Sequence, residues 1–172
     1  MFIIIYGVSG SGKSTVANLL SNHYKGAFIE ADNYHSISNI QKLKSGIPLT
    51  DIDRFPWIES VCSAALKSTN HPVFIACSAL KQAYRLRFIQ NLGNVKFILL
   101  NGTIDVVRIR LSNRSNHFMN PNLLTSQIET LEIHLKDDDQ YKQIDISNTI
   151  ENIINQSITW INSIVQASSN QQ

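Results

Sequence analysis

Short apolar runs alternate along this chain with longer stretches in which apolar residues recur every three or four positions. The short runs are Phe2 to Tyr6, Ala27 to Glu30, Val73 to Cys77, Val95 to Leu100 and Gln143 to Ile146, rich in β-branched and aromatic side chains. They read as strands. Between them, Ser14 to Asn22, Asp51 to Thr69, Lys81 to Gln90, Ile104 to Asn113 and Asn122 to Leu135 carry the helical period. A closing stretch, Thr149 to Val165, sets Ile150, Ile153, Ile154, Ile158, Ile161 and Ile164 largely on one face, as a helix packed on a sheet requires. Thr50 with Asp53 approximates a capping box, and Thr103 precedes a stripe of Val106, Val107 and Ile109. This alternation predicts an α/β fold, a five-stranded parallel sheet flanked by helices.

A length of 172 residues suits a single domain spanning 1–172, and neither an internal repeat nor a Pro- or Gly-rich linker divides it. The polar tail, about 167–172, is expected to be disordered. Ser112 to Asn122 is polar, carries Arg114 and His117, and falls between two helical patterns. It reads as part of a mobile lid, about 110–135.

Charge changes the picture by exclusion. A formal net charge of +2 falls short of the balance of a dedicated nucleic-acid binder, so any polyanion held here is small. The run Phe2 to Tyr6 stops at Gly7, too short to cross a membrane. Cys62 and Cys77 lie far apart without metal-ligand or redox spacing, which fits a reducing cytoplasm.

The chemistry begins at Gly7-Val8-Ser9-Gly10-Ser11-Gly12-Lys13-Ser14, which fits G-x-x-x-x-G-K-[ST] directly after a strand and before a helix. Glycines let the backbone curl around a phosphate with its N–H groups inward, and the helix N-terminus adds a positive field. Lys13 would bridge the β- and γ-phosphates of a nucleoside triphosphate, and the Ser14 hydroxyl would ligate Mg²⁺. Thr15 follows within the same loop-to-helix junction. A P-loop of this kind serves kinases, motors and switches alike. The strand Val73 to Ala76 runs into Cys77-Ser78 rather than the carboxylate usual in ATPases, which argues against an ATPase. Asp32 stands at the end of another strand, where open α/β sheets place active groups. It can accept a hydroxyl proton, and position alone leaves a plain turn residue equally open.

Gly7 to Thr15, then Glu30-Ala31-Asp32-Asn33-Tyr34-His35, Ser45 to Trp57, Cys77 to Lys81 with Tyr84-Arg85, Arg114 to Met119 and Ser126-Gln127 together resemble the gluconokinase family. The likeness spans nearly the whole chain up to Ile146. It implies a P-loop nucleoside-triphosphate kinase fold with a mobile lid, ATP and Mg²⁺ as cofactors, and transfer of phosphate to the 6-hydroxyl of D-gluconate. Asp32 resembles the acid facing that hydroxyl, and His35 and Arg54 resemble substrate-pocket groups, while Lys81 suits either the substrate carboxylate or the transferring phosphate. A carboxylate suits a guanidinium fork such as Arg54 or Arg85, and a polyol suits Asp32, His35 and Gln127. Arg110 and Arg114 look like the lid pair of related kinases, the first stacking on the base and the second reaching the phosphates. Family members are often dimers, which leaves a homodimer open here. The chain departs from the family's usual strand-end motif at Ala31, Asn33 and Tyr34, and keeps Asp32 and His35. A kinase for another hydroxy acid such as shikimate, or a nucleotide-binding regulatory protein, shares the P-loop.

Overall fold

The structure is a computed structural model, and it describes residues 1–112, 123–134 and 136–169. Five parallel strands, β1 (Phe2–Tyr6), β2 (Ala27–Glu30), β3 (Val73–Ala76), β4 (Val95–Asn101) and β5 (Tyr141–Asp145), form one sheet in the order β2-β3-β1-β4-β5. The helices are α1 (Lys13–Tyr24), α2 (Ile37–Lys44), α3 (Asp51–Leu66), α4 (Gln82–Leu92), α5 (Ile104–Ser112), α6 (Leu123–Thr130) and α7 (Ile150–Ser169). Among the described residues, no helix is long and apolar enough to cross a membrane.

The unbroken apolar run of β1 has a direct cause in this order, because the strand sits in the middle of the sheet and is covered on both faces. Ile4 and Tyr6 join Ile75, Phe97, Trp57, Ile58 and Phe88 under α3 and α4. Ile3 and Ile5 join Phe74, Leu20, Ile98 and Ile161 under α1 and α7. Each fully buried aliphatic side chain of this kind contributes about 1.5–3 kcal/mol, so the sheet centre is the rigid platform on which the loops stand. Thr50 caps α3 through the expected capping box with Asp53.

The structure departs from the hydrophobic pattern in four places. A 3-10 turn at Ala31–Tyr34 and the helix α2 occupy a segment without a predicted element. Strand β5 starts at Tyr141, whose ring stacks on Phe97 at 5.0 Å between centroids. α6 ends at Thr130, where Glu132 N–H turns to the Leu80 carbonyl. α7 runs on to Ser169, into the tail expected to be disordered; 170–172 lie outside the described residues.

Candidate active site

β2, β3 and β1 are neighbours, so the loops leaving their carboxyl ends converge. The loop after β1 depends on its glycines. Gly7 has φ 141°, and a Cβ there would lie 2.6 Å from the Leu100 carbonyl oxygen. Gly10, with φ 81°, leaves room for Leu111, whose Cγ would be 2.7 Å from an added Cβ. Gly12, at φ 99°, begins α1. These left-handed conformations curl the backbone into a tight loop ahead of a helix N-terminus. Lys13 Nζ donates to the Val8 carbonyl at 3.0 Å, which lays the ammonium group back over the loop. Ser11 is buried beneath it, with its N–H on the Val8 carbonyl at 3.3 Å, and Gly7 N–H meets the Ser78 carbonyl.

Two clefts open from this loop. The first is lined by Ser9, Gly10, Gly12, Lys13, Ser14, Thr15, Glu30, Asp32 and Arg110. Arg110 is anchored there by the carbonyls of Ser11 (3.2 Å) and Ile146 (2.6 Å). Glu30 is bonded to the Ser14 hydroxyl, and burial raises its carboxyl pKa above the ordinary value while that bond and the Lys13 charge oppose the rise. A hydroxyl and a carboxylate oxygen side by side at the mouth of a phosphate cradle are the hard donors that Mg²⁺ prefers.

The second cleft is lined by Ser9, Lys13, Asp32, His35, Leu43, Pro48, Leu49, Arg54, Trp57, Ser78, Leu80, Ser126 and Gln127. Ser9, Lys13 and Asp32 belong to both, so the two spaces meet at those residues. The 3-10 turn sets Asp32 and His35 one turn apart, with His35 Nε2 3.8 Å from the Asp32 carboxylate. His35 stacks on Trp57 at 4.2 Å, its side chain 5% exposed, and Trp57 Nε1 donates to the Ala31 carbonyl at 2.8 Å. Burial lowers the His35 pKa, the Asp32 charge opposing and the Arg54 charge assisting, so the ring is neutral near pH 7. Asn39 Nδ2 stands 3.5 Å from His35 Nδ1 and donates to the Asp53 carbonyl at 3.1 Å. Helix α2 thereby braces both the histidine and the start of α3, which carries Arg54. Gln127 on α6 closes the ring by accepting from Ser9 N–H at 2.7 Å.

Of the residues expected around a substrate, Asp32, His35, Arg54 and Gln127 line this second cleft together. Two do not. Arg85 is 2% exposed, and its guanidinium donates to the carbonyls of Ala79 (3.0 Å), Leu80 (2.9 Å) and Glu132 (2.8 Å) beside the Tyr6 ring. It is a buried brace for the loop after β3, where Ala79 holds an unusual φ of 39°. Lys81 is not among the residues lining either cleft, and its ammonium is paired with Asp51 at 2.8 Å. Arg114 and His117 fall outside the described residues, as does the centre of the expected lid. Glu30, Trp57, Ser78 and Ser126 line the clefts without having been singled out as site residues. Each stands within or beside a string that carries the family resemblance, which was the available signal.

A shikimate kinase family model matches residues 9–167. A probable gluconokinase of Dictyostelium discoideum is 40% identical, over 94% of this chain and 86% of its own length. The thermoresistant gluconokinase of Escherichia coli K12 is 38% identical, over 92% of this chain and 91% of its own. A solved gluconokinase from Sinorhizobium meliloti 1021 superposes with a TM-score of 0.88 at 33% identity, covering 99% of this chain and 96% of that one.

Proposed function

The chain belongs to the gluconokinase family, and from that membership we propose that it transfers the γ-phosphoryl group of ATP to the 6-hydroxyl of D-gluconate, giving 6-phospho-D-gluconate and ADP. The observation that carries the reading is the meeting of a phosphate-loop cleft and a polar acceptor cleft at Ser9, Lys13 and Asp32. A γ-phosphate seated on the loop would there face an alcohol seated beside Asp32.

In this reading the gluconate carboxylate pairs with Arg54, and its hydroxyls find mixed donors and acceptors in His35, Ser126 and Gln127. The 6-oxygen attacks the γ-phosphorus in line. A P–O bond forms to the sugar acid as the bond to the β-phosphate oxygen breaks, ADP leaves, and the hydroxyl proton passes to Asp32. Because the transition state is loose, positioning and charge neutralisation by Lys13 and the loop amides supply most of the rate. Ser14 and Glu30 would hold Mg²⁺, directly or through its water shell, and that ion supplies charge neutralisation on the phosphates. Arg110 flanks the nucleotide.

An acceptor panel tests this, with ADP release measured for gluconate, shikimate and related sugar acids. Gluconate should stimulate ADP release by orders of magnitude over water. Equal stimulation by shikimate, or release independent of any acceptor, would overturn the assignment.

A further inference from the structure

Arg54 does not stand by itself in the cleft wall. Its Nη1 donates to the Tyr84 hydroxyl at 3.0 Å, and its guanidinium carbon lies 5.4 Å from the Tyr84 ring centroid. A phenol has one proton to give, and an arginine can only donate. The Tyr84 proton therefore goes to its other neighbour, the Asp51 carboxylate, at 2.5 Å. Asp51 in turn receives Lys81 Nζ at 2.8 and 3.2 Å on its two oxygens. The Lys81 bond, and after it the Tyr84 bond, hold the Asp51 carboxyl below its ordinary pKa, so it stays an acceptor at neutral pH.

Tyr84 itself is 2% exposed and does not line the cleft. It can influence a ligand only through what it touches. We infer that Tyr84 is a positioning residue for acceptor binding: its hydroxyl, polarised by Asp51 and Lys81, fixes the Arg54 fork for a substrate carboxylate. This rests on the reading that Arg54 takes that carboxylate.

The physical reason is twofold. An arginine on a free stem must surrender rotamer freedom when a carboxylate binds, and a fork held beforehand surrenders less. One guanidinium nitrogen is committed to Tyr84, which leaves the remaining N–H groups of a cleft-lining arginine for the ligand. The second reason is charge. Asp51 alone would repel an incoming carboxylate, and Lys81 neutralises it, so the fixing bond brings no net negative field into the site. Lys81 thus serves substrate binding across three contacts, without touching the substrate. Tyr84 and Lys81 come from the start of α4, while Asp51 and Arg54 come from the first turn of α3. The relay is therefore built on two helices packed over the same sheet face.

Steady-state kinetics of Tyr84→Phe, Asp51→Asn/Lys81→Met, Arg54→Ala and the Arg54→Ala/Tyr84→Phe double variant test the relay. Tyr84→Phe keeps the ring and removes only the hydroxyl. Its KM for gluconate should rise about tenfold, the scale of one hydrogen bond to a charged group, with kcat and the KM for ATP within about twofold. Asp51→Asn by itself would free the Lys81 charge to attract the substrate, so it is combined with Lys81→Met, and the pair should shift KM in the same direction as Tyr84→Phe. In the Arg54→Ala background, Tyr84→Phe should add nothing, since its effect passes through Arg54. If Arg54→Ala raises the gluconate KM and Tyr84→Phe does not, or if the two effects add, the relay is wrong and the role of Arg54 stands. If Arg54→Ala leaves the gluconate KM unchanged, the underlying reading fails and the relay with it. Should Tyr84→Phe fold poorly, the cycle of Asp51→Asn/Lys81→Met with Arg54→Ala carries the same test at residues that are not buried.

Discussion

The side-chain oxygen of Gln127 accepts a hydrogen bond from the Ser9 amide at 2.7 Å and ties α6 to the phosphate loop across 118 residues of sequence. Gln127→Glu keeps the shape and the acceptor but places a negative charge beside the phosphate cradle. The expected result is a KM for ATP raised about tenfold at low ionic strength and partly restored by salt. Initial rates at two salt concentrations check it. An unchanged KM would place the side chain away from the bound phosphates.

Glu30 gives a prediction in which stability and activity move oppositely. Its carboxyl pKa is raised in the folded chain, chiefly by burial. Its stabilising contribution is therefore fully present below the unfolded carboxyl pKa and lost as pH rises through the folded one. At pH 7 the ionised group is a liability that the fold carries. Glu30→Gln should raise the melting temperature of the nucleotide-free protein at pH 7, with the gain vanishing toward pH 4, while turnover falls at least about tenfold. Calorimetry at the two pH values with parallel kinetics measures both. A lowered melting temperature at pH 7 would contradict the account.

Two arginines that look alike in the sequence should fail in different ways. Arg85→Ala removes the donors for three carbonyls around the loop after β3. It should cost about 3–5 kcal/mol of folding stability, as breaking a buried charged network does. Arg54→Ala should stay within about 1 kcal/mol of the parent and act on gluconate binding instead. Urea titrations of both variants separate them.

Gly7→Ala isolates the backbone requirement. With φ at 141° and a Cβ 2.6 Å from the Leu100 carbonyl oxygen, the loop cannot accept a side chain without moving. A loss of about 2–4 kcal/mol is expected, together with weakened ATP binding. Denaturant midpoints and calorimetric titration test it.

Much of this was legible in the chain because the signals are local. The run Phe2 to Tyr6, the glycines through Gly12 and the step into a helical period identify strand, loop and helix from adjacent residues. The second helix was hidden because its face is poorly apolar. Ile37 is 77% exposed, and only Asn39 and Leu43 are buried. Its role comes from Asn39 and Lys42 holding the start of α3, a contact between segments that no periodicity reports. Arg85 could not be told from Arg54 for the same reason. Both precede or follow aromatic residues in helices, and only packing shows that one points under the loop after β3 while the other lines the cleft.

The central claim is that one carboxylate, Asp32, stands where the phosphate-loop cleft and the acceptor cleft join. Turnover of Asp32→Asn with saturating ATP and gluconate, alongside its calorimetric affinity for ATP, tests this most directly. The account predicts gluconate-dependent ADP formation reduced at least about a hundredfold, with ATP affinity close to the parent value. Turnover near that of the parent chain would contradict it.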